Sequence, residues 1–284
     1  MISRRKRFRE GKASVPVPWH VKIPGVTPMT AMPKRAKTSA GSRRTAGQRS
    51  RLAKILDRLE KHYGPPKRPY PTDPYEMLLH RNGGYPQSDE RCDKGFQALK
   101  KQIGLAPKRI LAASDEALRE AARRGGMVPE LRAQRFRDIA ARVLDEFQGD
   151  MRAVLKRPLA DAKKALKKFP TVGDSTAEKI LLFTGTAPVA ALPSNCLHVP
   201  LRLGFGCAPE KAAKNWAAAY RSAQEAVRAE LPETCEAQIR AYLLIKRHGA
   251  ETCKLAHPRC EQCPVADMCP FFLRVPGASL PLHP

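Results

Sequence analysis

From Ser50 onward the apolar residues recur at helical spacing. Leu52, Ile55, Leu56 and Leu59 fall at i, i+3, i+4 and i+7, which is one stripe of an amphipathic helix. Asp73 before Pro74 is a capping residue followed by proline at the first helical position, and it opens YEMLLH. Ser88 can cap a helix with Cys92, Phe96, Leu99 and Ile103 on one face. Pro129 opens another, with Phe136, Ile139, Ala140, Val143, Leu144 and Phe147 inward. Further helices are expected over PLADAKKALKKF, STAEKILLFTG, 194–205, 209–231 and 233–248. No segment alternates as a half-buried strand does. The pattern predicts an all-α chain whose helices form two lobes rather than one simple bundle.

Residues 1–48 break the pattern. They hold five prolines, many small or basic residues and no helical period, and are expected to be a disordered basic arm. Two alternatives are a start at Met29 or Met32, and an Arg-rich transit peptide, for which no amphipathic helix is evident. Net charge over the 284 residues is +25. Thirteen lysines and arginines against Glu10 give the first fifty residues +12 of this, so the remainder is basic by itself. Such an excess suits a polyanion, because each neutralised phosphate releases a counterion; a solubilising surface is the plainer alternative. No apolar run reaches the ~18–20 residues of a membrane span, and MISRRKRFREGK lacks the apolar core of a secretory signal. Cys92, Cys196, Cys207 and Cys235 are scattered, which fits a reducing cytoplasm better than a disulfide framework.

The other four cysteines are crowded. Cys253, Cys260, Cys263 and Cys269 follow C-x6-C-x2-C-x5-C. Four thiolates so close need a shared positive charge, which an iron–sulfur cluster or zinc supplies. Structural zinc usually takes two short knuckles, and here only the middle pair has that spacing. The spacing points to a [4Fe–4S] cluster, with zinc as the alternative. KKFPTVGDSTAEKILLF reads as helix, tight turn, helix, with Asp174 or Ser175 able to cap the second helix, whose N–H groups form an anion site.

The cysteine spacing and its flank AYLLIKRHGAETCKLAHPRCEQCPVADMCPFF resemble the iron–sulfur DNA glycosylases of the endonuclease III type, in the helix-hairpin-helix superfamily. The resemblance covers about residues 50 to 273. It implies a six-helix barrel with the helix-hairpin-helix over 71–187, and a cluster lobe built from 49–70 and 188–284. It implies a cytoplasmic monomer, associated with the nucleoid through double-stranded DNA and free of membranes. It implies base-excision repair through a flipped nucleotide. Phe169, Pro170, Val172, Gly173, Thr176 and Ala177 match the family's hairpin signature, so Thr171, Val172, Gly173, Ser175 and Thr176 are expected at a DNA phosphate. Thr171 stands where the signature has glycine. In GGYPQSDERC, Tyr85, Pro86 and above all Gln87 are candidates for the wedge that parts the duplex, with a plain loop before a capped helix as the alternative.

The catalytic positions depart from the family. Its strand-cleaving lysine falls at Ser175, so abasic-site lyase chemistry is not expected from this pattern. Its aspartate falls at Pro193, in register with His198, Val199, Arg202, Leu203 and Gly204. The nearest carboxylates are Asp174, read as a helix cap, and Glu178, read as a surface residue. Two functions follow: a monofunctional DNA N-glycosylase with a relocated centre, or a catalytically silent sensor of lesions or DNA structure. A zinc-bearing RNA-binding protein is a third.

Overall fold

A computed structural model describes residues 49–274. The expected basic arm, 1–48, lies outside the described residues, as do 275–284. The described residues are helical throughout, with no strand among them.

Capping sets the early helices as the sequence implies. Ser50 accepts from the Ala53 N–H at 3.0 Å and starts α1 (Arg51–Tyr63), which buries Leu52, Ile55, Leu56 and Leu59. Asp73 accepts from the Tyr75 and Glu76 N–H groups and starts α2 (Pro74–Gly84). Ser88 caps α3 (Asp89–Gln102), which buries Cys92, Phe96 and Leu99; Ile103 lies just past its end and is half-buried. Two short helices, α4 (Pro107–Ala112) and α5 (Asp115–Arg123), fill a stretch whose periodicity is too brief to read. In α6 (Pro129–Phe147) the expected inward residues are buried except Leu144, which is half-buried.

The chain continues through α7 (Arg152–Leu155), α8 (Leu159–Leu166) and α9 (Asp174–Phe183). The helix expected over 194–205 is a 3-10 turn at Ser194–Cys196 followed by α10 (His198–Arg202). The helix expected over 209–231 is two, α11 (Pro209–Lys214) and α12 (Trp216–Arg228). Asn215 breaks it by leaving helical geometry and accepting from the Ala218 N–H at 2.9 Å. The long α13 (Cys235–Glu251) ends at the cysteine loop.

Two hydrophobic clusters organise these helices. One gathers Leu78, Phe96, Phe136, Ile139, Leu166 and Leu181 with their neighbours between Tyr70 and Ala191. The other joins α1 to Leu197, Val199, Tyr220 and the cysteine loop. Helix α13 serves both, giving Tyr242 and Leu243 to the first and Leu244 and Ile245 to the second. Backbone meets backbone at two glycines. A Cβ on Gly95 would stand 2.1 Å from the Gly83 carbonyl, and one on Gly125 would stand 1.7 Å from it. That closeness brings the C-terminal end of α2 against α3 and the turn before α6.

Candidate functional site

The hairpin turn runs from Phe169 to Gly173, with Phe169 and Val172 buried in the first cluster. Thr171 adopts φ +64°, the left-handed region that glycine would fill without strain. Its side chain helps hold it there. The Thr171 Oγ donates to Asn82 Oδ1 at 3.3 Å, and Arg81 Nε donates to the Thr171 carbonyl at 3.0 Å. The turn is thus tied to α2 by side chains.

Neither Asp174 nor Ser175 caps α9, contrary to the sequence reading. Gly173 is the N-cap, and it has no side chain to offer. The Asp174 and Ser175 amides are left open to an outside acceptor, while those of Thr176 and Ala177 bond the Gly173 carbonyl, at a helix N-terminus where negative charge is favoured. An added Cβ on Gly173 would meet nothing within 4 Å, so the surface there is unobstructed. Asp174 instead lies at the first helical position and pairs with Lys167 at 2.9 Å and Lys163 at 3.5 Å. The Lys167 hydrogen bond holds its carboxyl below the usual range.

Arg81 links this turn to the candidate wedge loop, since its guanidinium also stacks 4.1 Å over the Tyr85 ring. Tyr85, Pro86 and Gln87 are exposed. The sequence reading missed their neighbours. Met127, Val128 and Leu131 are exposed apolar residues at the start of α6, and Gly126 lies beside the Gln87 side chain. The signal available was an apolar pair after Gly125-Gly126 that fits no buried helical face.

Glu178 is a correction of a different kind. Read as a surface residue, it is buried, 6% exposed. Lys163 donates to it at 2.6 Å and the Tyr220 hydroxyl at 2.9 Å, while Tyr220 accepts from the Leu192 N–H at 3.1 Å. The carboxylate therefore locks the hairpin to α12 and to the stretch before Pro193. Pro193 is itself buried, and its carbonyl accepts from Cys196 N–H in the 3-10 turn.

Behind the hairpin lies a cluster of ionisable groups that the sequence reading did not foresee. Lys246 of α13 binds Asp89, and donates to the Tyr70 hydroxyl at 2.6 Å; Tyr70 in turn donates to Asp89 at 2.6 Å. Burial alone would raise the Asp89 carboxyl, but Lys246 and Lys179 outweigh it and hold it low. Lys179 lies 3.3 Å above the Tyr70 ring centroid. Desolvation, then repulsion from Lys246, pulls its ammonium down to about 7.

Cys253, Cys260, Cys263 and Cys269 line one pocket, with Arg202, Leu203, His248 and Phe272 around them. Arg202 reaches the Cys253 sulfur at 3.6 Å and ties the loop down through the Lys254 and Leu255 carbonyls. His198 bonds the Cys253 carbonyl at 2.7 Å. Burial raises all four thiols, Cys260 to about 11 and Cys263 to about 12. Among the described residues no three His, Cys, Asp or Glu side chains converge as a site for one metal ion. The four cysteines are the thiol donors that an iron–sulfur cluster or zinc would take.

No protein-family model matches the chain. It is similar to endonuclease III of Thermotoga maritima, 24% identical over 205 residues that cover 72% of this chain and 85% of the relative. It is similar also to endonuclease III of Sulfolobus acidocaldarius, 24% identical over 188 residues, 66% of this chain and 77% of the relative. Among solved structures it resembles a trapped endonuclease III–DNA covalent intermediate, with TM-score 0.61 and 22% identity over 78% of this chain and 95% of that one. A thermostable thymine-DNA glycosylase gives TM-score 0.61 and 16% identity over 79% and 97%. The fold is the all-helical fold of these proteins. The sequence relatives are named endonuclease III, and the fold is shared with a structure of that name.

Proposed function

We propose that the chain is a DNA-binding protein of base-excision repair, a DNA N-glycosylase that removes a damaged or mismatched base from duplex DNA. The observation that carries this reading is the uncapped N-terminus of α9 at Gly173, an open anion site on a fold shared with DNA glycosylases. Thr171, Val172, Gly173, Ser175 and Thr176 form the phosphate grip. Gln87 or Tyr85 parts the base stack beside it, with Met127 alongside. Water displaces the base, because Ser175 has no amine to do so. The protein works as a cytoplasmic monomer. No helix among the described residues is long and apolar enough to cross a membrane.

Cys253, Cys260, Cys263 and Cys269 would hold a [4Fe–4S] cluster, which when bound cross-links the loop after α13. Arg202 and His198 orient that loop through their bonds to its carbonyls. The barrel lies over 71–187 and the cluster lobe over 49–70 and 188–284; among the described residues the two hydrophobic clusters favour this division, with Ala191, Ile239, Tyr242 and Leu243 reaching into the first.

A second reading, a sensor without chemistry, is favoured by three observations. Pro193 is buried, Asp174 is paired with lysines, and Glu178 is spent on Lys163 and Tyr220. Incubating the purified full-length protein with duplexes carrying oxidised, deaminated or alkylated bases separates the two. Abasic-site formation on any of them supports the glycosylase; tight damaged-duplex binding with none supports the sensor.

A further inference from the structure

Arg132 is a charged side chain sealed inside the molecule, 3% exposed, and no carboxylate pairs with it among the described residues. Its guanidinium bonds backbone oxygens instead. Nη1 donates to the Gly126 carbonyl at 2.9 Å and to the Met127 carbonyl, and Nη2 donates to the Gly84 carbonyl at 3.4 Å. Gly84 ends α2, and its carbonyl also accepts from the Gln87 N–H at 2.9 Å. One guanidinium on the first turn of α6 therefore ties together two loops distant in sequence. One carries Tyr85 and Gln87, the other Met127 and Val128. The loops also touch, since an added Cβ on Gly126 would stand 3.7 Å from Gln87 Cγ.

The turn that Arg132 holds is exposed and strained. Met127 is 72% exposed and Val128 57%. Val128 adopts φ +57°, a left-handed conformation that is costly for a β-branched residue. Such a turn persists only where its surroundings fix it. A cation buried without a counter-charge is costly as well, and an apolar side chain of similar size would fill the space without that cost. What the guanidinium supplies, and an apolar side chain would not, is the set of bonds to both loops.

We infer that Arg132 is a positioning residue for opening the duplex: it fixes the Met127–Val128 turn against the end of α2, so that Met127 and Gln87 press into the base stack as one rigid unit. This rests on the reading proposed above, that these loops part DNA. Arg132 touches no nucleotide; it acts through the backbone of the residues that do. Unstacking a base step needs bulk, and the bulk needs a backbone behind it that does not yield.

The test uses the full-length protein and a duplex with a fluorescent adenine analogue opposite a tetrahydrofuran abasic analogue. Fluorescence rises as the adenine analogue leaves the stack, and the wild-type protein is expected to raise it. Arg132→Lys keeps the charge but loses the planar fork that spans three carbonyls. At saturating protein it should shift the base about tenfold back toward the stacked state, the scale of one lost bond to a charged group, while affinity for an undamaged duplex stays within about twofold. Because Arg132 acts through Met127, Arg132→Lys combined with Met127→Ala should lose no more than the worse single variant. Undiminished unstacking by Arg132→Lys, additive losses in the double variant, or an equal loss of affinity for undamaged duplex would each overturn the proposal. Should Arg132→Lys not fold, arginine side-chain NMR of the wild type decides. The Arg132 guanidinium is expected to rotate slowly in the free protein and on DNA, and fast averaging in the complex would overturn the assignment. A wild-type protein that binds the duplex and leaves the base stacked refutes the duplex-opening reading and this inference with it. A wild type that unstacks the base beside an equally active Arg132→Lys refutes this inference alone.

Discussion

The cysteine pocket and the hairpin mouth treat their reactive groups in opposite ways. In the pocket, four thiols, two buried and two half-buried, face a common space, and Arg202 and His198 hold the loop around them through its carbonyls. At the mouth, each acidic group near the expected catalytic position already has a protein partner: Asp174 has Lys167, Glu178 has Lys163 and Tyr220. Groups left unsatisfied by their own fold await a ligand; groups fully satisfied hold the fold together. By that criterion Glu178 is architecture.

Cys263→Ser should strike hardest. It is expected to abolish iron retention and absorbance near 400 nm, and to lower solubility and DNA binding together, an effect in the range above about 4 kcal/mol reserved for lost metal sites. A folded, colourless variant with normal DNA affinity would remove the pocket's half of the contrast. Glu178→Ala should cost about 2–3 kcal/mol in urea unfolding, by removing the buried acceptor of Lys163 and of the Tyr220 hydroxyl, with Glu178→Gln milder. Should Glu178→Gln instead abolish excision at unchanged stability, Glu178 belongs to the chemistry.

Lys179→Met sharpens the contrast through pH. The folded Lys179 titrates near 7, below its ordinary value of 10.5. Between these values the unfolded chain binds more protons, so wild-type stability should rise as pH climbs from about 7 to about 10.5. The methionine variant should lack this rise and gain about 1–2 kcal/mol at pH 6, with little gain at pH 10. Melting curves at both pH values check the sign. Gly173→Ala should leave stability within about 0.5 kcal/mol, since the space is open and φ is −98°. Its methyl would stand where a phosphate approaches, so duplex affinity should fall about tenfold, or ~1.4 kcal/mol. Smallest of all, deleting residues 1–48 should flatten the slope of log affinity against log salt and leave binding intact.

The sequence made some of this legible and hid the rest for physical reasons. Local signals carried far: Asp73 and Ser88 cap where they were expected to, and the stripe on α1 is buried. Short helices such as α4 and α5 are too brief to show a period. The capping error at α9 arose because polar residues after a glycine look like caps, although the glycine took the capping place. Glu178 looked like surface because a charged residue on a helix usually is; its partners come from Lys163 and from Tyr220, 42 positions away. The Tyr70–Asp89–Lys246–Lys179 group spans four separated segments and leaves no linear motif.

Helix α13 carries a consequence for how the molecule melts. Tyr242 and Leu243 belong to one hydrophobic cluster, and the next two residues to the other. Neither cluster can lose its share of that helix without fraying the other's, so unfolding free energy is pooled across the chain. Calorimetry should record one endotherm, with the calorimetric and van't Hoff enthalpies equal while the cysteine loop stays intact. A stop codon placed before Cys235 would then yield no surviving half.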